Sequence, residues 1–196
     1  MDNFKIRLIR KLALRNNERK PKLLDVGCRE GGYSIIADKE GFKVISVDIN
    51  YTNRLKNFVM ADIKKLPFKD SYFDCICAFD VIEHVTETNY ALHECKRVLK
   101  EGGDIVISVP NNDLLVRTYF RMIRRTPLST GDETHKAFYT NREWIQIIKN
   151  FFQIEAIYYQ IVTEGEKLYK IKYFINKMAC LFKFGSNTFF LCKKVD

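Results

Sequence analysis

Short apolar runs alternate with amphipathic segments along residues 1–110 of this chain. The apolar runs have the length and the β-branched and aromatic content of strands, and polar or glycine-containing segments bound them. The predicted strands are residues 22–26, 43–48, 57–60, 73–79 and 104–109. Apolar positions that recur every three or four residues predict helices over 32–40 and 87–100. Strands separated by helices are typical of a parallel, doubly wound α/β sheet with right-handed crossovers.

The segments outside this alternating region have their own signals. Residues 3–16 combine a helical apolar period with Lys and Arg, which predicts an amphipathic helix with a basic face. Gly102-Gly103 is expected to end the helix that begins near Glu87, because glycine commonly follows a helix C-terminus. Residues 51–56 are too few for a full helix and predict a turn.

The pattern changes after Pro110. Residues 112–124 have a helical period and are followed by a polar loop that ends at His135. Thr140-Asn-Arg-Glu143 has the spacing of a capping box and predicts the start of a helix. The last strands are expected over 152–159 and 188–192, separated by a basic and apolar segment. The whole chain, residues 1–196, is expected to form one domain, because its length suits a single core.

A glycine-containing loop, Asp25-Val-Gly27-Cys28-Arg29-Glu-Gly31, joins the first predicted strand to the helix over 32–40. A strand, a glycine turn and a helix N-terminus together place backbone N–H groups around a nucleotide-like ligand. The second strand ends in Asp48, whose carboxylate can accept hydrogen bonds from both hydroxyls of a ribose. The acid that opens the loop repels phosphate and suits a ligand with an ammonium group. These features predict an adenosine-type cofactor.

The loop resembles the first motif of class I S-adenosylmethionine-dependent methyltransferases, D-x-G-x-G-x-G, with Arg29 in place of the middle glycine. The resemblance covers residues 21–111 and is nearest in character to the ubiquinone-pathway O-methyltransferases. Its further motifs are Val47-Asp48, Ala61-Asp62-Ile63, Leu66-Pro67-Phe68, Phe73–Val85, Arg97–Gly103 and Ile107–Asn111. It implies an α/β fold with helices on both faces of a doubly wound, mostly parallel seven-stranded sheet. The implied strand order is 3-2-1-4-5-7-6, with the last strand antiparallel.

The resemblance implies that S-adenosyl-L-methionine is the cofactor and that it binds at the carboxyl ends of strands one to four. Asp25 and Gly27 would face its methionine end. Cys28, Arg29 and Gly31 would complete the loop. The departure at Arg29 leaves the contacts of this loop open, and the Arg29 side chain could equally point to solvent.

The resemblance also assigns residues to the nucleoside. Asp48 would bind the ribose, and Asp62 would bind the adenine amino group. Ile49 and Ile63 would lie on the two faces of the adenine ring. The alternatives are that Asp48 is a turn residue and that Asp62 is an acid at the end of a strand without a ligand role.

The acceptor side is expected beyond strand four. Ala78 and Phe79 would lie beside the sulfonium, through a backbone carbonyl or an aromatic face, although Phe79 could equally be a core aromatic. His84 could take a proton from a hydroxyl acceptor, or it could anchor the loop. His135 has a pocket role or a loop-fastening role. His93 is expected to be structural or exposed, and the spacing of the three histidines does not predict a metal site.

The formal net charge of +9 is unevenly distributed, since residues 1–20 carry seven basic and two acidic side chains. This basic segment and residues 160–184 could contact an anionic membrane, bind RNA, or form a solvated surface over packed helices. The six cysteines form no C-x-x-C pair and predict buried thiols in a reducing cytoplasm. No apolar run is long enough for a transmembrane helix, and the N-terminus lacks the apolar stretch of a secretory signal.

Three functions remain open from the sequence. The first choice is O-methylation of a small-molecule, lipid-linked or glycan-linked metabolite, because the Asn-Pro-Pro-aromatic signature of nucleic-acid amino methylases is absent after strand four. The second is a tRNA-modifying methyltransferase, favoured by the basic flanks. The third is a non-catalytic module that binds the cofactor or a partner. The acceptor atom and the oligomeric state are undefined by the sequence.

Overall fold

Seven strands form one sheet in the order β3-β2-β1-β4-β5-β7-β6 in the computed structural model of the chain. The model describes residues 3–16, 20–52, 54–113, 135–160 and 186–195. The strands are β1 (Lys22–Val26), β2 (Lys43–Asp48), β3 (Phe58–Met60), β4 (Phe73–Phe79), β5 (Leu99–Pro110), β6 (Gln153–Gln160) and β7 (Asn187–Lys193). Strands β1 to β5 pair in parallel, whereas β7 runs antiparallel to both β5 and β6. The expected fold class and strand order are confirmed.

Four α-helices lie in the described part of the chain: α1 (Asn3–Arg15), α2 (Gly32–Lys39), α3 (Thr88–Val98) and α4 (Asn141–Lys149). Apolar side chains of α1 and α2 pack on one face of the sheet, and those of α3 and α4 pack on the other. A single 3₁₀ turn, Ile82–His84, follows β4. Both faces of the central strands are therefore covered, which explains their nearly continuous apolar sequences.

Alternate side chains of strand β4 pack into the two hydrophobic cores on opposite faces of the sheet. Cys75, Cys77 and Phe79 belong to the core under α1 and α2. Ile76 and Ala78 belong to the core under α3 and α4. Both cysteines are buried and not in disulfides, as the sequence predicts, and burial raises the pKa of each thiol.

The prediction that Gly102-Gly103 ends the third helix is wrong. Helix α3 ends at Val98, and Leu99 already has extended backbone and pairs with Phe73 of β4. The glycines lie in an irregular part of β5, where the register with β4 shifts. A Cβ on Gly103 would lie 2.9 Å from the backbone oxygen of Asp74, so this position requires glycine for close strand approach.

Several expectations concern the remaining connections. No helix is present among the described residues of 51–56, in agreement with the predicted turn. The helix predicted over 112–124 and the basic segment over 164–182 lie outside the described residues. So does most of the polar loop before His135. No helix in the described part of the chain has the length and hydropathy needed to span a bilayer.

Helix α1 contacts the rest of the molecule through both its apolar and its basic side chains. Leu8, Ile9 and Leu12 are buried against the sheet. Among its cations, Arg10 pairs with Glu40, and Arg15 pairs with Asp104 and Glu155. The apolar stripe of α1 is therefore occupied by the core, which favours the packed alternative of the sequence analysis over a membrane contact.

Helix α4 begins at a complete capping box, as its sequence predicts. The side chain of Thr140 accepts a hydrogen bond from the backbone N–H of Glu143 at 3.4 Å. In return, the carboxylate of Glu143 accepts from the backbone N–H of Thr140 at 2.7 Å. This cap fixes the direction in which residues 135–140 enter the helix.

Replacing Thr140 by Ala should lower the free energy of unfolding by about 1 kcal/mol, because the cap hydroxyl is lost. Thr140→Ser keeps that hydroxyl and should remain close to the wild type. Urea unfolding followed by circular dichroism measures both variants. Equal losses in the two variants would contradict a capping role for the hydroxyl.

Candidate functional site

A cleft of about 510 Å³ lies at the carboxyl ends of β1, β2 and β4 and of the short strand β3. The sheet order reverses between β1 and β4, and open α/β sheets bind ligands at such a switch point. The volume falls within the range of small-molecule and cofactor sites. The predicted site residues that line it are Gly27, Arg29, Asp48, Ile49, Asp62, Ile63 and His84.

The loop after β1 turns by three left-handed residues. Gly27, Arg29 and Gly31 have φ values of 70°, 49° and 79°. The backbone at position 29 is thus the one that glycine favours, and a non-glycine residue there carries a conformational cost of roughly 1–2 kcal/mol. Arg29 is exposed at the rim of the cleft, so the substitution preserves the loop path and adds a cation at its entrance.

The carboxylate of Asp48 is held in place by backbone amides on both sides. One oxygen accepts from the N–H of Arg29 at 2.8 Å, and the other accepts from the N–H of Asn50 at 2.9 Å. An ionised carboxylate has about four acceptor sites, so both oxygens retain capacity for further donors. Asp48 is therefore a fixed, two-pronged acceptor on the wall of the cleft.

The neighbouring wall is apolar. Ile63 is buried, whereas Ile49 is 68% exposed although it is a large aliphatic side chain beside the cleft. An exposed aliphatic face next to a buried one suits a flat ring.

Asp62 also lines the cleft. One of its carboxylate oxygens accepts a hydrogen bond from the backbone N–H of Lys64 at 2.9 Å, and the other lies 3.9 Å from the side-chain amine of Lys64. The predicted nucleoside residues are thus brought together in one wall.

Asp25 lies behind the loop and not among the residues that line the cleft. It is 3% exposed and accepts a hydrogen bond of 2.5 Å from the hydroxyl of Ser34, which in turn accepts from Ser46. Burial, with the charge of Asp48 as a further cause, raises the pKa of the Asp25 carboxyl to about 6. Its predicted contact with the methionine end of a cofactor stays a prediction.

Four other predicted cofactor-binding residues also lie outside the lining of the cleft. Cys28 is buried, and burial raises the pKa of its thiol to about 12. Gly31 precedes α2 in left-handed backbone. Ala78 is fully buried, and Phe79 packs edge-on against Tyr33 with ring centroids 5.3 Å apart. Their expected ligand contacts remain untested.

His84, one of the two candidate catalytic histidines, lies at the far end of the cleft, beyond β4, and the second, His135, is its neighbour outside the lining. His84 lines the cleft at the end of the 3₁₀ turn. The ring of His135 lies 4.8 Å from that of His84, between centroids. Residues 51 positions apart in the chain therefore meet at one place, next to Glu83. Their roles in catalysis stay predictions.

Sequence reasoning missed two buried charges near this end. Glu83 is 1% exposed, and burial, with Asp80 as a further cause, raises its pKa to about 8. Lys5 of α1 is 6% exposed, pairs with Asp80 and lies over the ring of Phe79. The Glu83-His84 dipeptide is visible in the sequence, but nothing in the local pattern indicates that its carboxylate is buried beside a second histidine. Nothing in the local pattern predicts either that Lys5 contacts Asp80, 75 residues away.

Asp25→Asn should change the pH dependence of stability. The folded carboxyl has a pKa of about 6 against an ordinary value of 3.8, so the folded state binds this proton more tightly. The contribution of Asp25 to the free energy of unfolding is most favourable below pH ~4. It is lost as the pH rises towards ~6 and stays absent at higher pH. At pH ~8 the variant should therefore be more stable by up to about 3 kcal/mol, and at pH ~4 it should match the wild type.

Urea unfolding at these two pH values measures the difference, with Asp38→Asn on the exposed face of α2 as the control. A wild type that is more stable than Asp25→Asn at pH ~8 would contradict the cost of burying this charge.

Gly27→Ala should destabilise the fold more than Gly102→Ala. The two glycines have nearly the same φ, 70° and 69°, so the left-handed cost is matched. A Cβ on Gly27 would lie 2.6 Å from Val81, whereas a Cβ on Gly102 would meet nothing within 4 Å. Thermal unfolding compares the variants, and equal losses would show that the packing of Val81 on the loop does not matter.

Comparison with known proteins agrees with this arrangement. The methyltransferase-domain family matches residues 1–151. An uncharacterized protein of Methanocaldococcus jannaschii is 34% identical over 154 residues, which cover 70% of this chain and 64% of that protein. The ubiquinone/menaquinone biosynthesis C-methyltransferase UbiE of Pseudomonas putida is 43% identical over 65 residues, which cover 32% of this chain and 25% of UbiE. The chain thus spans less than two thirds of the length of these curated relatives.

A solved structure has a similar fold. The putative S-adenosylmethionine-dependent methyltransferase from Listeria monocytogenes superposes with a TM-score of 0.66 at 17% sequence identity, covering 100% of both chains. The family match covers well over half of this chain and includes the glycine loop and Asp48. The chain therefore belongs to the class I S-adenosylmethionine-dependent methyltransferase family.

Proposed function

We infer that the cleft binds S-adenosylmethionine and that the protein methylates an oxygen of a small-molecule acceptor. The observation that carries this proposal is the carboxylate of Asp48, fixed by two backbone amides on the wall of a cleft of suitable size. A ribose offers two adjacent hydroxyls, which match the two oxygens of such a carboxylate. Ile49 and Ile63 offer apolar faces to adenine.

Bound S-adenosylmethionine supplies a methyl group that is already activated on a sulfonium. The protein then has to align the acceptor, exclude water and manage one proton. His84 lies at the end of the cleft next to β4, where it can contact an acceptor hydroxyl. Its imidazole would hold that hydroxyl or receive its proton.

Methylation of carbon is the second candidate for the acceptor atom. It is favoured by the name of the matched relative, UbiE, which is a C-methyltransferase, although that match covers only 25% of UbiE. Oxygen is preferred here because polar groups, namely Glu83, His84 and His135, gather at the acceptor end. Mass spectrometry and NMR of the methylated product would separate the two. The packing of α1 into the core removes the support that its basic face gave to a membrane or RNA contact.

Asp48→Ala should weaken the binding of S-adenosylhomocysteine by about 2–4 kcal/mol, which is roughly 30-fold to 1,000-fold. The variant loses two charge-assisted hydrogen bonds to the ribose, which water replaces only in part. Isothermal titration calorimetry gives the affinity directly. Asp38→Ala removes an exposed carboxylate far from the cleft lining and should bind as the wild type does.

Unchanged affinity in Asp48→Ala would remove Asp48 from the cofactor site. A wild type that binds no S-adenosylhomocysteine would contradict the proposed function as a whole. Binding without turnover of any hydroxylated acceptor would favour the non-catalytic module considered from the sequence.

A further inference from the structure

Glu83 is a buried carboxylate whose Oε2 has no hydrogen-bond partner within the described part of the chain. The residue is 1% exposed, so bulk solvent does not reach that oxygen. An unsatisfied buried oxygen costs about 1–3 kcal/mol, and more when it is charged. A buried carboxylate oxygen of this kind is tolerated where a bound proton or a bound cation takes the place of the missing hydrogen-bond donor.

Two imidazoles stand beside this carboxylate. One donor atom from each of Glu83, His84 and His135 can be chosen so that all three lie within 4.8 Å of one another. In a tetrahedral zinc site, ligands at about 2.0–2.2 Å from the metal are roughly 3.4 Å apart. Side-chain rotations that shorten these separations by up to about 1.4 Å would therefore bring the three atoms to ligand spacing.

The backbone holds the two halves of this cluster together. The carbonyl oxygen of Glu83 accepts hydrogen bonds from the consecutive N–H groups of Lys136 and Ala137, at 2.8 and 2.9 Å. The segment that begins at His135 is therefore fastened to the 3₁₀ turn that carries Glu83 and His84. This double hydrogen bond positions His135 through the main chain, independently of its own side-chain contacts.

The surrounding charges favour a cation. Asp80 lies three positions before Glu83 and lines the same cleft. Lys5 pairs with the carboxylate of Asp80, whereas the Oε2 of Glu83 has no hydrogen-bond partner among the described residues. A divalent ion between Glu83 and the imidazoles would complete that buried oxygen.

We propose that Glu83, His84 and His135 form a binding site for a divalent transition-metal ion of the zinc class. Two imidazoles and one carboxylate are the donor set of open zinc and non-haem iron sites, which keep a position for water or substrate. His84 also lines the cleft, so the proposed site adjoins its acceptor end. This departs from the sequence expectation of no metal, because the spacing of the three histidines does not include Glu83.

The role of the ion rests on the proposed function. An acceptor oxygen bound at the open position is placed beside the cofactor cleft, and a hydroxyl bound there releases its proton to water more readily. The acceptor class narrows accordingly to molecules with an oxygen that can bind a metal, such as a phenol or a diol. His84 then acts as a ligand of the ion and not as the proton acceptor.

Cobalt(II) is a suitable probe, because its visible absorption reports the coordination by imidazole and carboxylate. Chelator-treated full-length protein should bind one Co²⁺ per chain, with a visible spectrum that Zn²⁺ abolishes by competition. His135→Ala and Glu83→Gln should each weaken Co²⁺ binding by at least about tenfold, since even loss of an outer hydrogen-bond partner of a ligand costs that much. Circular dichroism confirms that each variant is folded.

His93→Ala is the matched control, because His93 is an exposed histidine on α3 away from the cluster. It should bind Co²⁺ as the wild type does. No stoichiometric Co²⁺ binding by the wild type, or equal binding by wild type and folded His135→Ala, would overturn the metal site. Binding lost in His93→Ala to the same extent as in His135→Ala would also overturn it.

Titration of the same metal-free protein with S-adenosylhomocysteine separates this proposal from the proposed function. Cofactor binding without Co²⁺ binding overturns the metal site and leaves the methyltransferase proposal in place. Co²⁺ binding without cofactor binding supports the metal site and contradicts the proposed function.

Discussion

The hydrogen bonds between the loop after β1 and the end of β2 set the geometry of the whole site. The N–H groups of Gly27 and Cys28 both donate to the carbonyl of Val47, at 2.8 and 3.1 Å, and that of Arg29 donates to Asp48. The loop can make these bonds only by folding back through left-handed residues. The cleft wall, the entry into α2 and the fixed carboxylate of Asp48 all follow from this one turn.

A second constraint is the concentration of acids at one edge of the sheet. Asp25, Asp48 and Asp62 follow or end successive strands, and Asp80 and Glu83 follow β4. The raised pKa values of Asp25 and Glu83 show that burial opposes their charged forms. Positively charged ligands stabilise such an edge, because they offset the repulsion between its carboxylates. A sulfonium cofactor with an ammonium group suits this edge and so, on the metal proposal, does a metal cation. The fold thus retains a local cost at its functional edge.

Features set by local sequence were predicted well, and features set by distant contacts were not. The pattern of apolar residues predicted the strands, and the capping box at Thr140 predicted the start of α4. Gly102 was misplaced because a glycine serves equally as a helix end and as a strand irregularity, and only pairing with β4 decides between them. The cluster at Glu83 was missed because backbone hydrogen bonds from Lys136 and Ala137 to Glu83, which are more than 50 residues apart, bring His135 to it, and no local pattern records such bonds.

The central claim is that the cleft bounded by Asp48 is the S-adenosylmethionine site, with its reactive end at His84. A crystal structure of the protein with S-adenosylhomocysteine tests it most directly. The account predicts that both ribose hydroxyls lie within hydrogen-bond distance of the Asp48 carboxylate, with adenine between Ile49 and Ile63. It also predicts that the sulfur lies on the side of His84. A nucleoside bound elsewhere, or reversed so that adenine lies against His84, would contradict the account.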